Sequence, residues 1–170
     1  MALPPTSVAV QANALCVIVL YVKFFISARL QGAAKYSAGS RPPEDAGLGP
    51  LLGRRRVNQS LGVEFDPKDE RARKARIREQ RWDRIIMNDL ENVPFALFVF
   101  GAALLLECDE SLQFYCITIF TLARCVFTYL FVKALQPHRT IVYIVGALAV
   151  VASMCDIVAK IFSIRSSQDI

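Results

Sequence analysis

RWDRIIMNDLENVPFALFVFGAALLL, residues 81–106, decides how the chain must fold. Its second half is an apolar run long enough to enter a bilayer, yet its first half carries Arg84, Asn88, Asp89, Glu91 and Asn92. On a helix, Arg84, Asn88, Glu91 and Phe95, spaced by four, three and four, fall on one stripe, so three polar side chains point the same way. Charged groups at membrane depth cost a few kcal/mol each and face a bundle interior or a wet cavity. The stretch therefore reads as a membrane helix whose polar start lines a pocket at the membrane edge, not as a failed span.

The rest of the chain agrees. Its 170 residues are 54% hydrophobic, with a mean hydropathy of +0.37, too apolar for a soluble domain of this size. A span needs roughly 20 apolar residues, and four windows qualify: 7–29, 85–107, 112–133 and 140–162. What remains is one hydrophilic segment, 30–84, and short turns, which predicts a single all-α, four-span membrane domain over 1–170. Inside that segment, LQGAAKYSAGSRPPEDAGLGPLLG is rich in helix breakers and reads as a loop. DPKDERARKARIREQRWDR, with Asp66-Pro67 as a start signal and charges of both signs at helical spacing, reads as a cytoplasmic extension of the second span. Lys23, the interior charge of the first span, is placed to snorkel to the headgroups.

The formal net charge is +5, and the basic residues concentrate in the long segment, among them Arg54, Arg55, Arg56, Arg71, Arg73, Lys74, Arg76 and Arg78. The turn ECDE after the second span has none. Four spans place the 30–84 segment and the turn bearing Lys133, His138 and Arg139 on one face, which the positive-inside rule makes cytoplasmic. Asn58-Gln59-Ser60, a glycosylation acceptor sequence, is then expected to stay unmodified. No aromatic stacking platform accompanies the charge, so nucleic acid is not an expected partner. Cys16, Cys108, Cys116, Cys125 and Cys155 show no paired spacing, and a single histidine supplies no metal ligand set, so the thiols read as buried and apolar. The N-terminus lacks the basic n-region of a cleaved signal peptide, which predicts an uncleaved first span.

Two further polar groups lie in the later spans. Arg124 sits mid-span on a stripe with Thr128 and Phe131, available to pair with a carboxylate such as Glu91 or Asp89. Arg139 and Tyr143, four apart, share a face where the fourth span begins. Cations and amides from separate helix starts suit an anionic, peptide-like ligand, because guanidinium groups take carboxylates bidentately. Phe95, Phe98, Phe127 and Phe131 are candidate walls for an apolar second substrate.

NDLENVPFALF with Arg84 four residues before its Asn, the upstream PPED ending at Asp45, and the Arg139-x-x-x-Tyr143 pair together resemble the membrane-associated eicosanoid and glutathione metabolism (MAPEG) family. The resemblance is nearest to the microsomal glutathione transferase and microsomal prostaglandin E synthase branch. It implies a homotrimer of four-helix bundles in the endoplasmic reticulum, with glutathione bound between subunits near the cytoplasmic face. Lys35, Arg84, Asn88, Glu91, Arg124 and Tyr143 would bind glutathione; Arg139 and Thr140 would lie beside the sulfur, and Asp45 would match a carboxylate of prostaglandin chemistry. The implied activity is thiolate attack on lipophilic electrophiles or lipid peroxides, with membrane lipid as a further partner and no metal. Ile86, Phe127 and Phe131 depart from the pattern, standing where it has two histidines and a tyrosine, and GLGPLLGRRRVNQSLG lengthens the first loop. Two rivals use the same residues differently. One is a non-catalytic scaffold presenting lipid to a partner enzyme; the other is a small transporter with Arg124 and Asp156 as a polar track.

Overall fold

A computed structural model of the chain describes residues 7–51, 53, 56–64, 66 and 68–168. Arg54, Arg55 and Pro67, and the first six residues of the N-terminal segment, lie outside the described residues. The elements are α1 (Val8–Ser37), a 3-10 turn (Pro43–Gly47), α2 (Leu48–Leu51), α3 (Glu70–Leu105), α4 (Glu110–Val132) and α5 (His138–Gln168), and no strand occurs among the described residues. Four of them, α1, α3, α4 and α5, are long and apolar enough to cross a membrane. The chain divides into two compact units, Met1–Lys23 with Asp89–Ile170, and Phe24–Asn88.

The first unit is a four-helix bundle of the α1 start, the second half of α3, α4 and α5. In hydrocarbon an apolar side chain gains little by turning inward, so helices associate through close packing of small residues. The core follows that rule: Ala96, Ala103, Ala123 and Ala149 are buried beside Leu20, Phe100, Ile117 and Phe120. Gly146 brings α5 against α4 so closely that a Cβ there would lie 3.3 Å from Ala123 Cβ. Phe100 and Phe120 meet edge to face, 5.6 Å between centroids. Leu15, Phe98, Leu122 and Leu148 are exposed, the pattern of a lipid-facing surface. Asp109 caps α4 by accepting from Leu112 N at 2.7 Å. Glu110 Oε1 accepts from Val8 N at 2.5 Å, placing a carboxylate on the positive end of α1.

In the second unit α1 does not stop where the glycines and prolines begin. It runs on through LQGAAKYS, because Gly32 is tolerated in a helix otherwise filled by good formers, and ends at Ser37. The stop is a Schellman motif: Gly39 adopts φ +72, its N–H donates to Tyr36 O (3.2 Å), and Ser40 N donates to Lys35 O (3.0 Å). The segment beyond folds back, since Gly39 O accepts from Ser60 N and Gly62 N at 3.0 and 3.1 Å. Tyr36 Oη donates to Ala46 O (3.2 Å) and accepts from Val57 N (3.4 Å), and Gly49 is required beside it because a Cβ there would overlap the phenol. The charged extension of α3 forms as one continuous helix, but it begins at Glu70, capped by Asp69 through Arg71 N at 2.9 Å, not at Asp66-Pro67.

Candidate functional site

One buried polar feature of the bundle is a triad. Asp89 is 1% exposed; its Oδ1 accepts from Arg124 Nη2 at 2.6 Å and its Oδ2 from Lys23 Nζ at 2.5 Å. Of the two carboxylates open to Arg124, Asp89 is therefore its partner, while Glu91 is exposed. Lys23 does not snorkel. Its side chain is 12% exposed and held by Asp89. The sequence concealed this because the pair lies 66 residues apart, with no local spacing to announce it. Burying one carboxylate between two cations offsets part of the desolvation that isolated charges would incur.

Beside the triad is a cavity of about 210 Å³, open on one side, whose lining includes Glu91 and Phe95 of α3, Arg124 and Phe127 of α4, and Tyr143 and Gly146 of α5. Phe127 links its parts: the Arg124 guanidinium lies 4.8 Å over its ring, and Tyr143 and Phe131 pack against it at 6.1 and 5.7 Å between centroids. Arg139 in turn lies 4.3 Å over the Phe131 ring. The Gln136 amide, oriented with its oxygen toward the guanidinium, accepts from Arg139 Nε (3.1 Å) and Nη2 and donates to Thr140 Oγ1 (3.2 Å). Glu91, Arg124 and Tyr143 thus share one cavity, and Arg139 and Thr140 form a hydrogen-bonded group at the start of α5. Phe95 and Phe127 are cavity walls, whereas Phe98 points outward at 79% exposure.

The remaining site candidates belong to the Phe24–Asn88 unit. Arg84 is exposed on α3, and Asn88 is partly buried one turn later. Lys35 Nζ lies 3.4 Å from Asp83 Oδ1, and Asp45 accepts from Arg41 Nη1 at 3.2 Å. Asp156 belongs to a different cluster. It accepts from Gln113 Nε2 at 2.7 Å and from Asp109 N at 3.2 Å, and Gln113 Oε1 accepts from buried Ser153 at 2.8 Å. Gln113 and Arg124 are separated by roughly 16 Å along α4. The polar groups of Arg124 and Asp156 are therefore fixed in two separate networks. Sequence reasoning passed over Gln113 and Ser153, which look like ordinary polar residues of a span.

At about 210 Å³, the cavity is below the 300–1,000 Å³ or so usual for a small-molecule pocket. One guanidinium, one carboxylate and one phenol, those of Arg124, Glu91 and Tyr143, line it among the aromatic walls of Phe95, Phe120 and Phe127. The sequence model of the MAPEG family matches residues 9–159. No curated protein matches the chain.

Proposed function

The chain belongs to the MAPEG family, and on that premise we propose that it is a glutathione-dependent membrane transferase working on lipophilic electrophiles or lipid peroxides. The observation that supports this most is the grouping of Arg139, Thr140 and Tyr143 at the start of α5, next to a cavity also lined by Glu91 and Arg124. The cavity is too small for the whole tripeptide, so the site is completed in a homotrimer. Lys35, Arg84 and Asn88 of one subunit hold the carboxylates, and Glu91 of the next, in the same cavity as its own Tyr143, takes the amine. Arg139, Thr140 and Tyr143 of the next approach the sulfur, and Arg124 fixes the wall between them.

Glutathione would supply the nucleophilic sulfur. The Arg139 guanidinium favours its thiolate, each unit of downward shift from a thiol pKa of roughly 8.5 being worth about 1.4 kcal/mol. Its thiol proton would go to water, and the sulfur would bond to carbon as the leaving group departs with the bonding electrons, or to one peroxide oxygen as the O–O bond breaks and its electrons stay on the other oxygen. In the endoperoxide version, Asp45 or Thr140 would move a proton to or from the reacting oxygens. The acceptor enters from the bilayer past Phe95, which is exposed and lines the cavity. The endoplasmic reticulum is the proposed membrane, with the 30–84 segment cytoplasmic.

Titrating the detergent-solubilised protein with glutathione while following its melting temperature tests this. At a hundredfold excess over Kd the stabilisation is about 2.7 kcal/mol, and it is lost in Arg139→Ala. Conjugation of a generic aryl halide disappears in the same variant. Buried Phe127 and Ile86, standing where the family pattern has histidines, favour the second reading of a lipid-presenting scaffold. That reading predicts no glutathione-dependent shift and no conjugation.

A further inference from the structure

A second, larger cavity of about 430 Å³ lies wholly within the Phe24–Asn88 unit, between the end of α1 and the segment that folds back on it. One face of α1 supplies Arg29, Gly32, Ala33 and Tyr36; Arg41 and Leu48 close the other side. Gly32 gives the Arg41 guanidinium room against the helix backbone. Arg41 Nε donates to the Gly32 carbonyl at 3.2 Å, and a Cβ on Gly32 would come within 2.6 Å of Arg41 Nη2. Asp45 steadies the same guanidinium through Nη1, leaving its other N–H groups outside these two bonds. Arg29 is exposed and has no ion-pair partner among the described residues. Two cations against one carboxylate leave the cavity positive.

Depth adds the second half of the argument. Arg29 closes the apolar window of the first span, so the cavity sits where hydrocarbon gives way to headgroups. One turn toward the membrane interior on the same helix, Phe25 and Ile26 are 55% and 53% exposed. A site of usual ligand size, with guanidinium groups at the polar end and an open apolar helix flank at the other, matches an amphiphile with an anionic head. We propose that this cavity binds the phosphate or carboxylate head of a membrane amphiphile between Arg29 and Arg41, with its chain lying along Phe25 and Ile26. Asp45, which steadies Arg41 here, is the one residue this site shares with the proposed thiol chemistry.

The test uses the full-length protein in a neutral detergent, followed by thermal shift and native mass spectrometry. The probes are lysophosphatidate, oleate, lysophosphatidylcholine and inorganic phosphate. Lysophosphatidate or oleate is expected to bind saturably, the better of the two identifying the head as phosphate or carboxylate. Arg29→Gln should weaken that binding by about tenfold or more, as loss of a charge-assisted hydrogen bond implies. Gly32→Leu, which fills the cavity, should abolish it. Arg29 is exposed, so its variant keeps the fold, and an unchanged melting temperature without ligand checks this. Three results would each overturn the assignment: equal binding of lysophosphatidylcholine, equal binding of inorganic phosphate alone, or undiminished affinity in Arg29→Gln. Absence of binding by both anionic amphiphiles overturns it as well.

Discussion

Asp89 holds two cations at once, and its removal separates the structural from the chemical use of buried charge. Asp89→Asn leaves Lys23 and Arg124 buried without a counter-charge, and breaking a buried pair in this way costs about 3–5 kcal/mol. Lys23→Met keeps the Arg124–Asp89 bond at 2.6 Å and gives a much smaller loss. Thermal unfolding of the solubilised variants reads both. That Arg124 needs an acid was visible in the sequence, since a mid-span guanidinium demands one; which acid, and that Lys23 joins it, was not, because contacts between distant spans leave no trace in local spacing. Cys108 follows a different logic. It lies in the turn after α3, where burial and then Asp156 push its thiol above the ordinary value, with Lys160 opposing them. A raised thiol pKa means less thiolate at neutral pH, so maleimide labelling of Cys108 is expected to be slower than that of a free cysteine and to keep rising with pH where a free thiol has levelled off. A plateau at lower pH would contradict that ordering of causes.

The end of α1 shows what an element's boundary depends on. GAAKYSAGSRPP contains enough breakers to read as loop from its first glycine, yet the helix persists for another two turns and stops at the second. At Gly32 the Arg41 side chain lies on the helix backbone, whereas at Gly39 φ +72 ends the helix. Both are glycines, and composition alone does not tell packing from capping. Gly39→Ala discriminates. The left-handed backbone costs an alanine about 1–2 kcal/mol, and the new Cβ would approach Asn58 O at 2.8 Å. Hydrogen exchange at Ser60 and Gly62, whose N–H groups both donate to Gly39 O, should accelerate in this variant while amides of α4 keep their protection. The extension of α3, in contrast, was legible as a helix from its mixed charges at helical spacing, with its start displaced from Asp66-Pro67 to a cap at Asp69.

At the scale of the whole molecule, the four membrane-capable helices were readable from length and hydropathy, because a bilayer imposes a single thickness on every span. The site was less readable, because its parts are divided. Glu91, Arg124 and Tyr143 share one small cavity, while Arg84 and Asn88 fall in the other unit. A trimer that joins the Arg84 of one subunit to the Arg139 of the next makes a quantitative prediction about mixed assemblies. In the proposed homotrimer, Arg84→Ala and Arg139→Ala should each abolish conjugation. Co-expressed in equal amounts, they form interfaces in which an intact Arg84 meets an intact Arg139 whenever an Arg139→Ala subunit supplies the first and an Arg84→Ala subunit the second. Random assembly makes that about one interface in four, so the mixture should recover roughly a quarter of wild-type conjugation per trimer. A site contained in a single subunit recovers nothing, because every protomer then lacks one of the two arginines, and mixing after purification without subunit exchange should likewise give no recovery.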